Sequence, residues 1–180
     1  MKKILIFSML ISILATIAFA ESVPHHIKLV NKLDRQHDGY CLDVAGSGRY
    51  IRSDLPLIGH NCKPGLYADE SFIFRDDGTI YFPTTESCVT ISGVNTHVLD
   101  YTSLTLKECK RQTPFLNAEF MQEFEYTKDK KLKHKNSSKC LEMGEESSTT
   151  YSKEHTWRTL YMKECSKTDT KRSTWNFSRP

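Results

Sequence analysis

Six cysteines, arranged as three pairs, are the residues whose type and spacing carry the most chemistry in this chain. Cys41-Leu42-Asp43 leads to Cys62, Cys88-Val89-Thr90 to Cys109, and Cys140-Leu141-Glu142 to Cys165, with separations of 21, 21 and 25 residues. Such thiols can oxidise to disulfides or ligate a metal, and no CxxC or HxxxH spacing supports the second use. An even set leaves no spare thiol to act as a nucleophile. No nucleophile, base and orienting acid recur together at matching positions, and no paired carboxylates do, so an enzyme is not expected. Gly46-Ser47-Gly48 lacks the following Lys-Ser/Thr and helix of a phosphate loop. His25-His26 reads as a frayed terminus rather than a metal site. Neither a metal nor a cofactor is expected.

The elements that must position these cysteines repeat with them. The first cysteines of successive pairs lie 47 and then 52 residues apart, which marks one structural unit used three times. A threefold repeat favours the pairing that stays within each unit: Cys41–Cys62, Cys88–Cys109 and Cys140–Cys165. Each such loop stabilises the fold by roughly 3 kcal/mol. Leu57-x-Gly59, Leu104-x-Leu106 and Leu160-x-Met162 precede the second cysteines, and this alternation predicts half-buried strands. Phe72 and Phe74, Phe124 and Tyr126, and Trp175 and Phe177 stand two apart, so each unit is expected to send two rings inward. Asp77-Gly78 predicts a tight hairpin turn. Lys128-Asp129-Lys130 takes that place in the next unit without a glycine, and a looser turn is expected there. No amphipathic helix is evident. The fold class is all-β.

Residues 1–20 read as a signal peptide: Met1-Lys2-Lys3, an apolar run from Ile4 to Ile17, and Ala18-Phe19-Ala20 before the cleavage point. The run is short for a bilayer span. A secreted, extracellular protein is therefore expected, with one domain over 21–180 and repeats near 24–72, 73–124 and 125–177. Removing Lys2 and Lys3 lowers the formal net charge from +3 to +1. That near-balance argues against nucleic acid as a partner and against a membrane-surface binder.

These motifs resemble the ricin B-chain family of β-trefoil lectins over essentially the whole mature chain. The family's Cys-Leu-Asp-Val block stands as Cys41-Leu42-Asp43-Val44, and its Asp-Gly-x-Ile hairpin as Asp77-Gly78-Thr79-Ile80. Its Gln-x-Trp signature is relaxed to Glu70-x-Phe72, Gln122-x-Phe124 and Ser173-x-Trp175. The resemblance implies a β-trefoil: a six-stranded barrel capped by three hairpins, with the aromatic pairs meeting near a pseudo-threefold axis. It also implies a galactose-type sugar site in each unit. In such a site a carboxylate two places after the first cysteine accepts sugar hydroxyls, an aromatic two places before the second cysteine stacks, and an amide seven places beyond it holds a third hydroxyl.

Carried over position by position, the first unit offers Asp43, His60 and Asp69, with Glu70 beside them and Tyr50 as a substitute stacking face. The alternative is that Asp43 only braces its own turn. The second unit offers Thr90 and Lys107, which do not suit a sugar. The third offers Glu142 between Lys163 and Arg172, which reads as an ion pair on a solvated face or a weak site for an acidic sugar. Lys131, Lys133 and Lys135 share one strand face and read as a solvated hairpin rather than an anion patch. Asn136-Ser137-Ser138 is the better of two glycosylation sequons. The expected partners are glycans or glycoproteins on a cell or extracellular surface, bound by an adhesin-like lectin. The rival expectation is a trefoil scaffold for a protein partner, through the loop from Arg111 to Met121 that carries Pro114, Phe115 and Leu116. Membrane insertion is not expected.

Overall fold

A computed structural model of the protein describes residues 23–178, so the expected signal peptide lies outside the described residues. The alternating apolar residues form short strands, because each strand buries one face and gives the other to solvent or to a neighbour. The first unit contributes β1 (His26–Leu29), β2 (Tyr40–Asp43), β3 (Ile58–Asn61) and β4 (Ile73–Phe74). The second contributes β5 (Ile80–Phe82), β6 (Ser87–Ile91), β7 (Leu104–Glu108) and β8 (Phe124–Tyr126), with a short helix α1 (Ala118–Gln122) before β8. The third has β9 (Leu132–His134), β10 (Lys139–Met143), an extra strand β11 (Ser148–Thr149), the long β12 (Thr156–Glu164), helix α2 (Thr170–Ser173) and β13 (Trp175–Ser178).

All pairings between these strands are antiparallel, and they tie the units together. β1 pairs with β13, joining first and third units, and β3 pairs with β12 through Trp157↔His60 and Thr159↔Ile58. Leu57 N–H donates to Leu104 O at 2.8 Å, and Thr102 bridges Met162, so the second unit is tied to both others. The three disulfides close as the repeat predicts, with Cα–Cα distances of 5.0, 5.0 and 4.9 Å.

The aromatic pairs divide their labour. Phe72, Phe124 and Trp175 are buried in one core with Leu42, Val89 and Leu141. The second ring of each pair is less buried than expected. Phe74, Tyr126 and Phe177 instead meet one another at one end of the fold, with centroids 5.5 and 5.0 Å from Phe177.

Three further expectations change. The turn at Lys128-Asp129-Lys130 is no looser than its glycine counterpart. Thr127 N–H bonds Lys131 O at 3.0 Å as Arg75 N–H bonds Thr79 O at 2.9 Å, and Lys130 adopts φ 62° where Gly78 adopts 86°. Both turn carbonyls receive the next unit's buried aromatic: Phe124 N–H reaches Gly78 O and Trp175 N–H reaches Lys130 O, each at 2.8 Å. That shared contact holds the backbone and forces lysine into a conformation that costs it about 1–2 kcal/mol. His25 and His26 are not frayed, since His25 bridges Phe72 and His26 lies buried in β1. The loop from Arg111 also folds into α1, capped by the Asn117 side chain, which accepts from Phe120 N–H and lets Met121 reach the core.

Candidate functional site

The first unit gathers its candidate residues around one ammonium. β2 ends on Asp43, β3 carries His60, and a single 3₁₀ turn after Cys62 (Ala68–Glu70) delivers Asp69 and Glu70. Lys63, the residue after Cys62, sends its Nζ among them, 3.1 Å from Asp43 Oδ2, 2.6 Å from Asp69 Oδ2 and 3.7 Å from Glu70 Oε1. All three carboxylates are buried, Glu70 completely. Three buried acids thus share one cation whose side chain is itself 20% exposed.

Burial pushes the Asp43 carboxyl well above the usual range and that of Glu70 up to about 7; Lys63 works against both shifts, and the charge of Asp69 adds to both. Burial opposes the Lys63 charge, but Asp43, Asp69 and Glu70 outweigh it and raise its pKa. The cluster therefore retains a carboxyl proton near neutrality. His60 lies at the rim, its Nδ1 3.1 Å from Asn61 O and 3.6 Å from Asp43 Oδ2. Burial and Lys63 lower its pKa to about 4, so it is a neutral ring at physiological pH. His155 stacks on it with centroids 5.7 Å apart.

An open cleft of about 570 Å³ leads to this rim, and His37, His60, Lys63 and His155 line it. Tyr50 is not brought into the cluster; its ring is exposed and its hydroxyl accepts from Arg49. Asp43, His60 and Glu70 each place a potential ligand atom within 4.8 Å of the others, a spacing that would suit a cation, but the Lys63 ammonium already supplies positive charge there. In the neighbouring trio of His26, Cys41 and Glu70 the sulfur belongs to a disulfide and cannot ligate.

The other units explain what Glu70 does. In the second, Gln122 takes the equivalent place: its Oε1 accepts Lys110 N–H at 2.7 Å and its Nε2 donates to Thr90 at 2.8 Å. In the first, Glu70 Oε2 accepts Lys63 N–H at 3.1 Å in the same way. A carboxylate has no N–H to offer Asp43, however, and Glu70 Oε1 has no hydrogen-bond partner. Two acids therefore face each other where an amide would face its acceptor.

In the third unit Glu142 is fully buried rather than on a solvated face. It meets Lys163 at 3.4 Å and Arg172 at 3.3 Å, as the ion-pair expectation held, and its longer side chain also accepts Asp169 N–H at 3.0 Å. Each lysine of the Lys131–Lys135 face is engaged: Lys133 with Glu125 at 2.6 Å, Lys135 with Glu123 at 3.3 Å, and Lys131 with Cys165 O at 3.0 Å. Sequence reasoning missed Lys63. The signal was available in part, since an acid pair at 69–70 and Asp43 in one unit demand a counter-charge.

Three repeats with one disulfide each, closed into a trefoil with shallow polar corners, define the class of lectin-like β-trefoils. The chain belongs to the ricin-type β-trefoil lectin domain family, whose pattern it matches over residues 30–175. No curated protein matches the sequence. Among solved structures it resembles the mdaA-1 domain (TM-score 0.59, 15% identity, covering 87% of this chain and 90% of that one). It also resembles the β-trefoil lectin of the Vibrio vulnificus hemolysin/cytolysin bound to N-acetyl-D-lactosamine (TM-score 0.51, 15% identity, 87% and 94%). The C-half of an earthworm R-type lectin in complex with GalNAc is a third (TM-score 0.54, 10% identity, 88% and 99%).

Proposed function

We propose that this protein is a secreted, non-enzymatic lectin that binds galactose-type glycans on a cell or extracellular surface as an adhesin, through its first unit. The observation that carries the reading is the Lys63 ammonium, held at the rim of a cleft by Asp43 and Asp69 and flanked by the His60 and His155 rings. An ammonium fixed in this way donates to sugar hydroxyls, and a neutral imidazole face packs on the sugar's C–H surface. Asp43 then acts mainly by holding Lys63, with Glu70 behind it. The family and the sugars bound by two structural relatives support a galactose-type ligand. One open corner binds a single sugar weakly, with Kd on the order of mM, so strong attachment requires clustered ligands.

A glycan array carrying galactose- and GalNAc-terminated glycans tests this. The wild type should bind a subset, and His60→Ala should lose it by about tenfold or more. A wild type that binds no glycan, or a variant that binds equally well, sinks the proposal. The protein-scaffold reading draws on a different observation. Val94, Leu99, Tyr101 and Phe115 of the second unit are exposed, Phe115 by 75%. Sugar-insensitive capture of one surface protein would favour it.

A further inference from the structure

Asn61, the last residue of β3, ties three stretches of chain together, and a histidine stands beside each tie. Its backbone carbonyl accepts from His60 Nδ1 at 3.1 Å. Its side-chain amide donates to Asp38 Oδ2 at 3.0 Å, one residue from His37. Its side-chain oxygen accepts Thr156 N–H at 2.9 Å, one residue from His155. His37 lies on the turn before β2 and His155 at the entry to β12, and both are exposed. All three histidines line the open cleft of about 570 Å³.

We propose that this cleft binds a borderline-soft divalent metal ion such as zinc, with His60 and His155 as a nearly formed pair and His37 closing the set. Imidazole nitrogens suit such ions, whereas calcium and magnesium demand oxygen ligands. The rings of His60 and His155 stand 5.7 Å apart, centroid to centroid. Two imidazoles on one tetrahedral zinc, with Zn–N distances of about 2.0–2.1 Å, place their centroids about 5 Å apart. A small rotation of the exposed His155 ring therefore completes the pair. The turn that carries His37 is held by Gly39 N–H donating to Arg35 O at 2.8 Å, while the His37 side chain is exposed and able to swing in. Three histidines with a fourth place left open make a common zinc geometry.

The tautomer of His60 suits this use. A carbonyl oxygen only accepts, so Nδ1 carries the ring proton, and Asp43 Oδ2 at 3.6 Å from the same nitrogen favours it as well. The lone pair is left on Nε2. A ligand histidine whose other nitrogen donates to a backbone carbonyl has its ring orientation set before the metal arrives. Burial and Lys63 keep the ring neutral at physiological pH, so no proton has to leave first.

The charges around the cleft do not bar a cation. Arg35 is paired with Asp38 at 2.6 Å, and Lys63 is held by Asp43, Asp69 and Glu70. Lys28 is the remaining cationic side chain in the lining, and Glu154, exposed beside His155, offsets it. Metal binding here needs no sugar, and His37 has no part in the sugar reading, so the two proposals fail separately.

Calorimetric titration of zinc chloride into the untagged, oxidised protein should show one equivalent bound with Kd on the order of μM. Calcium chloride should give no binding heat. His155→Ala and His37→Ala, both at exposed positions, should each weaken zinc by about tenfold or more. His97→Ala, at an exposed position of the second unit, should leave the affinity unchanged. On the ¹⁵N-labelled protein, long-range ¹H–¹⁵N spectra of the imidazoles should show zinc moving His37, His60 and His155. The buried His26 and His134 should stay in place. Zinc that binds no tighter than mM overturns the proposal, as does calcium bound as well as zinc. So does a His155→Ala or His37→Ala protein that binds zinc as tightly as the wild type. Binding lost in His97→Ala puts the metal elsewhere and overturns it too. Zinc bound at these three histidines alongside a blank glycan array supports this site and sinks only the sugar reading.

Discussion

Replacing Glu70 with glutamine should stabilise this protein at neutral and alkaline pH and do nothing to it in acid. The carboxyl is completely buried, faces Asp43, and has one oxygen without a partner. Folding moves its pKa from an ordinary 4.5 to about 7. At 1.36 kcal/mol per pH unit, the fold favours the protonated form by about 3 kcal/mol. That contribution is fully present below pH 4.5 and is lost as the pH rises through about 7, where the wild type must hold a third buried negative charge. The substituted amide would stay neutral throughout. It would reproduce the arrangement of Gln122, accepting Lys63 N–H and donating to Asp43 as Gln122 donates to Thr90. Urea denaturation of both proteins from pH 4.5 to 8.5, disulfides intact, should give equal stabilities at the acid end. The variant should lead by up to about 3 kcal/mol at the alkaline end. His60, pushed down to about 4, and the buried His26 and His134, also lowered, destabilise both proteins as the pH falls from 6.5. His60 and His134 cancel in the difference. His26, whose Nε2 lies 3.3 Å from Glu70 Oε2, does not, so the rise of the difference is read between pH 6.5 and 8.5, above the range in which His26 gains a proton. A difference that does not change with pH, or that grows toward acid, would refute the shared-proton account of the cluster.

Lys63→Met should cost about 3–5 kcal/mol at pH 7.5, because it strands three buried carboxylates without their cation. Part of that loss should return by pH 5 as Asp43 and Glu70 take up protons, and the same denaturation series reads it. Lys130→Gly should stabilise by about 1 kcal/mol, since it relieves a lysine at φ 62° while keeping the turn that Gly78 makes between β4 and β5. A thermal midpoint that falls in Lys130→Gly would show that the lysine side chain matters more than its backbone.

Much of the scaffold was legible because it rests on short-range signals repeated three times. The cysteine spacing fixed the disulfides, Asp77-Gly78 fixed a turn, and Phe72, Phe124 and Trp175 marked the core. The candidate site was legible as a set of positions but not as a charge state. Asp43, His60, Asp69 and Glu70 do converge, yet the group that organises them is Lys63, twenty residues from Asp43, and only the β2–β3 pairing brings it there. The burial of Glu142 was missed for a similar reason. Glutamate beside two cations looks like a surface pair in sequence, and its inward turn depends on the Asp169 amide in the loop after Cys165. Lys130 was misread because tertiary contact with Trp175 overrode the local preference for glycine.

Chemical-shift mapping of the ¹⁵N-labelled protein with N-acetyllactosamine tests the central claim most directly. The account predicts perturbations gathered at His60, Asn61, Lys63 and His155, around the rim that Asp43, Asp69 and Glu70 support. Perturbations confined to the second unit, or none at millimolar ligand, would contradict it.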